Sequence, residues 1–384
     1  MTVSAIDRPG EGPPWRTLPA PARREVQEWP TPTRTSSVAK LIDVVPFRVR
    51  GPGGPYVTQN GRKVLESAPY VFYDQVDDPL PYTAAEYSAM AIKLRANYTR
   101  IVRLFGEPTD LDDNERIVVF FGHAVAAEDP ERLAYVDLCN LSGQGDCAVE
   151  GEIIYVRSLP DMGTTYRDDY ALVQVPGAIL HETIHLAWFA HGWRRFGRFA
   201  TRNIIPQRWY ESSAQFFAFA DDFERDTSWK TVDRVLRSRR GILVSPFVDP
   251  YMVGGLLFHW LRQRYGEGFD QALIDECVDY SIADPFEDVT GMPESLASAA
   301  MFASLYFDGT PFGSQTGLEF PEDDVHHRIP RGVPALAIAT GSTRHDNVGA
   351  DGSIIYEVLH DGAARVAIST NAAGRAYVLI AQPQ

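Results

Sequence analysis

A chain of 384 residues, 45% hydrophobic and 23% charged, has the material for a sizeable core and for roughly two domains. Its formal net charge of -15 argues against broad nucleic-acid binding, which needs a basic face for phosphates, and weakens any attraction to anionic lipid. No run approaches the ~18 apolar residues of a membrane span, and three cysteines (Cys139, Cys147 and Cys277) are too few for a disulfide-dense scaffold.

Residues 1–36 are rich in Pro, Arg and Thr and carry neither a helical nor a strand period. They read as an extended arm, a linker or a pro-segment, with Trp15 and Trp29 available to pin it to the body. The opening MTVSAIDRPGEGPPW has no apolar core and bears acids early, so as it stands it is not a secretory signal.

Between about 40 and 75 two β-like runs, LIDVVPFRVR and YVFYDQ, are broken by GPGGP. The stretch TAAEYSAMAIKLRANYTRIVRLFGEP then predicts a long helix. Thr83 and Glu86 form a capping box at its start, and Gly106 followed by Pro108 closes it. TDLDDNE (109–115) clusters acids that could bind calcium, but it lacks the EF-hand spacing, and a polar turn before a strand is the simpler account. RIVVFF (116–121) and EIIYVR (152–157) are strands by their β-branched and aromatic content. Between them Cys139 and Cys147 flank the polar loop CNLSGQGDC, either bridged across a hairpin or standing as two free thiols.

A helix is expected over ILHETIHLAWFAHGW (179–193), apolar nearly all round and therefore buried. The loop after it carries Arg194, Arg195, Arg198, Arg202 and Arg208. These read as a solvated connection that offsets the acidic body, or as a rim favouring acidic or C-terminal groups of a substrate. WYESSAQFFAFADDF (209–223), KTVDRVLRSRRG, YMVGGLLFHWLRQRYG (251–266) and ESLASAAMFASLYF (294–307) are further helices. After about 325 the texture changes to short strands, ALAIAT, SIIYEVLH, ARVAIST and AYVLIAQ, split by Gly, Asn and Asp turns.

The chemistry-bearing motif is His181, Glu182 and His185, an H-E-x-x-H. On a helix, positions i and i+4 share a face, so both imidazoles can reach one ion. Neutral imidazole suits zinc, which lowers the pKa of a bound water towards ~7, and Glu182 is placed to take that water's proton. Three such groups in a buried helix need partners, and a metal supplies them.

A third protein ligand has two candidates. His191 completes the spacing H-E-x-x-H-x-x-G-x-x-H of a metzincin, which would set Met252 beneath the metal. The glycine of that signature, where the chain turns back, is Trp188 here. In a continued helix His191 faces about 120° away from His185. The other candidate is Glu211 in WYESSAQFFA, where a carboxylate opens a mostly apolar helix; His₂Glu plus water is an established zinc set. Its plainer account is an acid at a helix start, facing the dipole.

H-E-x-x-H with a glutamate at the start of the following helix resembles the gluzincin branch of zincin metallopeptidases. Residues 83–307 are most similar in order to the hyicolysin-type peptidases, specifically at the active-site helix and at WYESSA and loosely elsewhere. The resemblance implies an α+β fold, a zincin-like peptidase domain over 37–324 with a small N-terminal sheet and a mostly helical C-terminal subdomain; the short strands beyond it, which the resemblance reaches only by analogy, read as a small all-β module over 325–384. It implies that His181, His185 and Glu211 hold Zn2+, that Glu182 is the general base, and that an edge strand near 153–157 aligns a peptide or protein substrate. It also implies a secreted or cell-envelope location. Where many gluzincins carry an aspartate four residues after the ligand glutamate, this chain has Gln215, a weaker orienter of a histidine. Tyr251 is the candidate for holding the oxyanion, ahead of Tyr210 and His259.

The expected function is a zinc-dependent metalloendopeptidase. Its alternatives are the metzincin-like peptidase using His191, a hydrolase of other amides or esters on the same ligands, and an inactive peptidase fold kept as a binding or structural module. An intact Glu182 speaks against the last, because metal binding alone does not require it.

Overall fold

The computed structural model describes residues 43–50, 55–77, 82–126, 132–142, 151–158, 170–196, 207–223, 242–243 and 254–266, single residues and short pieces between 269 and 301, and 336–339, 353–354 and 356–359. The chain is a mixed α+β protein that divides into two compact units, one over Glu25–Ile204 and the other built on the chain from Ile205 onward.

The first unit is organised by a six-stranded sheet. Its strands are β1 (Val44–Arg50), β2 (Tyr56–Ser67), β3 (Tyr70–Gln75), β4 (Ile117–Gly122), β5 (Ala134–Val136) and β6 (Ile153–Arg157), in the order β1-β2-β3-β4-β6-β5. β1, β2 and β3 form an antiparallel meander, β4 and β6 join in parallel, and β5 pairs antiparallel with β6. The predicted helix is α1 (Ala84–Phe105). Its capping box is complete: Glu86 N–H donates to Thr83 Oγ1 at 3.2 Å and Thr83 N–H donates to Glu86 Oε2 at 2.6 Å. Gly106 ends it at φ 84°, a left-handed conformation that glycine adopts without cost.

The sheet curls, and its two faces have different cores. In β1 the inward residues alternate, Val45, Phe47 and Val49. They pack on the concave face with Tyr73, Phe120 and Tyr155, and Phe47 stacks on Phe120 at 4.3 Å. On the other face Phe72 and Phe121 meet Tyr87 of α1. Every residue of β4 is buried, as a strand covered on both sides requires.

A short helix, α2 (Leu138–Ser142), follows β5, and Cys139 within it is disulfide-bonded, the other half of the bridge lying outside the described residues. The free-thiol account of Cys139 is thereby set aside. The acidic loop 109–115 is a polar turn before β4: Asp110 Oδ1 accepts from the N–H groups of Asn114 and Glu115 at 3.0 and 3.1 Å. After a π-helical turn (Tyr170–Gln174), α3 (Val175–Phe196) packs along α1.

One expectation is corrected here. The strand at 153–157 is not an edge: β6 is hydrogen-bonded to β4 on one side and β5 on the other, and four of its five residues are buried. The edge is β5.

In the second unit α4 (Gln207–Phe223) packs against α5 (Gly255–Tyr265), with α6 (Pro285–Thr290) nearby. Trp209 is the keystone, stacked on Phe286 at 4.7 Å and edge-on to Phe258 at 5.5 Å. Two strand pairs complete what is described. One is the antiparallel pair of β7 (Ile242–Leu243) with β9 (Ser353–Ile354); the other is the parallel pair of β8 (Leu336–Ala339) with β10 (Tyr356–Leu359). The arm at 1–36, KTVDRVLRSRRG, ARVAIST and AYVLIAQ lie outside the described residues.

Candidate metal centre

His181, Glu182 and His185 lie on α3, whose anchoring explains their placement. Thr183 points to the sheet: its hydroxyl donates to the Ile179 carbonyl at 2.8 Å and meets the Tyr70 phenol of β3 at 3.1 Å. Trp188 packs on Phe105 of α1, ring centres 5.9 Å apart. At the far end Arg194 donates to the carbonyls of Glu107 and Pro108, tying α3 to the loop after α1. The helix is thus fixed at its middle and at its C-terminal end.

Thr183 and Trp188 are committed to packing, and His181, Glu182 and His185 form a separate cluster on the same helix. One ligand atom from each of His181, Glu182 and His185 lies within 4.8 Å of the others, and the imidazole planes stand at 85° with centres 4.5 Å apart. All three residues are buried. The converging imidazoles of His181 and His185 are donors that suit a borderline-soft divalent cation such as zinc, with the Glu182 carboxylate beside them.

Glu182 has a second relationship that the sequence did not disclose. Its Oε2 accepts the backbone N–H of Val136 at 3.1 Å. The bond from Arg157 N–H to the Leu133 carbonyl sets the phase of the β5/β6 ladder. In that phase Ala134 and Val136 turn their backbone groups away from β6, toward the edge. Among the described residues no strand pairs with that side. The general-base candidate therefore stands at the open edge of the sheet.

His191 shares the helix but not the cluster. α3 continues through Trp188 to Phe196, so the turn that the metzincin spacing needs does not occur. Glu211 lies on α4, in the other unit, and is half-buried. That helix begins at Gln207, so Glu211 sits a full turn inside it rather than at its start. The dipole effect falls off within the first turn, and the plain account of this acid loses its main support. Gln215 is one turn further on and half-buried. Tyr210 and His259 are both buried, on α4 and α5. Tyr251 and Met252 lie outside the described residues, as do Arg198 and Arg202.

A second acidic group forms in the first unit. Asp110, Asp112 and Glu152 also bring one oxygen each within 4.8 Å. Glu152 is used structurally: it accepts the Thr109 hydroxyl at 2.5 Å and the Leu111 N–H at 3.2 Å, locking the acidic loop to the start of β6. Burial, opposed by the Thr109 hydroxyl and reinforced by the charge of Asp112, pushes its carboxyl up to about 8.

Among the described residues no helix is long and apolar enough to cross a membrane. Compared with known proteins, the chain matches no family model, and no curated protein matches it.

Proposed function

We propose that the chain is a zinc-dependent metallopeptidase of zincin type, in which His181, His185 and Glu211 hold the metal and Glu182 is the general base. The observation that carries the reading is the convergence of His181, Glu182 and His185 within 4.8 Å on one buried, unbroken helix. A buried carboxylate beside two imidazoles is costly unless a cation completes the set.

Zinc, when bound, supplies Lewis acidity and a water of lowered pKa. The chain's own groups do the rest. Glu182 lies beside both histidines and would take a proton from the attacking water as its oxygen bonds to the scissile carbonyl carbon, and would pass that proton to the amine nitrogen as the C–N bond breaks. The outward side of β5 offers the backbone groups of Ala134 and the carbonyl of Val136, whose N–H is taken by Glu182, and an extended peptide can add there as a further strand. A peptide so bound passes the Glu182 carboxylate, because Val136 already touches it. Tyr251 is kept as the candidate oxyanion donor.

Zinc per chain, measured by elemental analysis on the full chain, tests the ligand set. The expected result is about one zinc per chain, retained in His191→Ala and lost in His185→Ala and Glu211→Ala. A wild type that takes up no zinc from a zinc-containing buffer would end the proposal. Retention of zinc by Glu211→Ala would remove Glu211 from it.

A further inference from the structure

The two edges of the curled sheet, β1 and β5, are joined not by backbone pairing but by side chains centred on Asp137. This residue directly follows β5, and its side chain is only 3% exposed. Burying a carboxylate is unfavourable unless it is paired and fully hydrogen-bonded. Its Oδ2 accepts the Tyr56 phenol at 2.7 Å and Arg50 Nε at 3.0 Å, and its Oδ1 accepts the Cys139 N–H at 3.1 Å. Arg50 and Tyr56 are the terminal pair of the β1/β2 hairpin. A further tie runs from the Arg50 backbone N–H to the Tyr135 phenol at 3.2 Å, and Tyr135 is itself stacked on Tyr155.

β5 needs such support. It has three residues and, among the described residues, pairs only with β6, too few ladder bonds to hold an edge in place by themselves. Yet its last residue, Val136, is the one that reaches Glu182, and Asp137 is the next residue along the chain.

We propose that Asp137 is a positioning residue for peptide binding. Held by Arg50 and Tyr56, it fixes β5 where an added peptide strand lies against Glu182. The assignment rests on the peptidase reading above. The partners of Asp137 are Arg50, Tyr56 and the Cys139 N–H, none of them a proposed metal ligand. Its effect passes through the backbone of β5, so it acts on ligands that use the edge and spares ligands that use only the metal.

Two probes separate these cases. Acetohydroxamate engages a zinc ion alone, whereas a tripeptide hydroxamate also lies along the edge strand. Their affinities are measured by calorimetry on the zinc-loaded full chain, in wild type, Tyr56→Phe, Asp137→Asn and Asp137→Ala. Displacement of a bound group by about an ångström can cost up to about a hundredfold. The tripeptide hydroxamate is therefore expected to weaken about ten- to a hundredfold in Asp137→Ala, and less in Tyr56→Phe. Acetohydroxamate is expected to bind all folded variants as it binds wild type. If Asp137→Ala does not fold, the milder Tyr56→Phe and Asp137→Asn decide by the same ratio. Equal losses for both probes, or no loss for either, would overturn the role of Asp137 while leaving the zinc reading standing. A wild type that binds neither probe would show that the zinc reading itself has failed, and the assignment of Asp137 with it.

Discussion

The Tyr70 phenol and the Thr183 hydroxyl meet at 3.1 Å, both fully buried, joining the central sheet to the helix that carries the two histidines. Thr183 spends its own proton on the Ile179 carbonyl, so Tyr70 is the donor in this pair. The asymmetry makes a prediction. Tyr70→Phe removes a donor and leaves a hydroxyl that still has one partner, at a cost of about 1 kcal/mol. Thr183→Val strands a buried phenol and should cost more, up to about 3 kcal/mol. Denaturant midpoints of the two variants and of the double variant test the order. If Tyr70→Phe is the more damaging, the donor has been assigned the wrong way round.

Glu182 separates metal binding from chemistry. Glu182→Gln keeps an oxygen that can accept the Val136 N–H but loses the basicity that proton transfer needs. Zinc content is expected to stay at the wild-type level while hydrolysis of a peptide library falls about 10²- to 10⁴-fold. Loss of zinc in this variant would make Glu182 a ligand rather than a base. Unchanged hydrolysis would remove it from the mechanism.

What could be seen in the sequence, and what could not, divides along the range of the interactions. The capping box of Thr83 and Glu86 and the pairing of His181 with His185 are local, set by spacings of three and four residues, and they were legible. β2 carries no strand signal, because YVTQNGRKVLES is polar on both sides and leaves most of its residues partly or fully exposed. β5 carries none either, because three residues show no period. The expected edge at 153–157 is a central strand, and IIYV, apolar at every position, carries the pattern of a strand covered on both sides. The contact of Val136 with Glu182 spans 46 residues and depends on where the sheet ends, which no local pattern encodes. The same holds for Asp137, whose partners Arg50 and Tyr56 are 87 and 81 residues away.

Glu152 gives the first unit a pH dependence of definite sign. In the unfolded chain its carboxyl titrates near ~4.3, and in the folded chain at about 8. Between these values the folded state binds the proton more tightly, so stability is greatest below the lower value, declines as pH rises, and levels off above about 8. Glu152→Gln removes this group from the titration. Its stability relative to wild type should rise between pH 5 and pH 8 by at most roughly 1.4 kcal/mol per pH unit. Thermal unfolding of both proteins across that interval reads the difference directly. Parallel curves would mean that Glu152 is already ionised in the fold.

At Gly61 the backbone of β2 lies directly against the core of the sheet. A Cβ there would stand 2.6 Å from Phe47 and 2.9 Å from Phe120, two fully buried rings already stacked at 4.3 Å. Neither ring can withdraw, because Tyr73 and Tyr155 pack edge-on against them. Gly61→Ala is therefore expected to cost about 1–3 kcal/mol by overpacking. Trimming the nearer ring should relieve part of that cost, so Gly61→Ala with Phe47→Leu should be less destabilised than the sum of the single variants. The crowded rings lie on the face of the sheet opposite Phe72 and Phe121, which meet Tyr87 of α1. The zinc content of folded Gly61→Ala should accordingly match wild type. A strictly additive double variant would mean that the sheet shifts its backbone to admit the methyl group, and that the curl is softer than its packing implies.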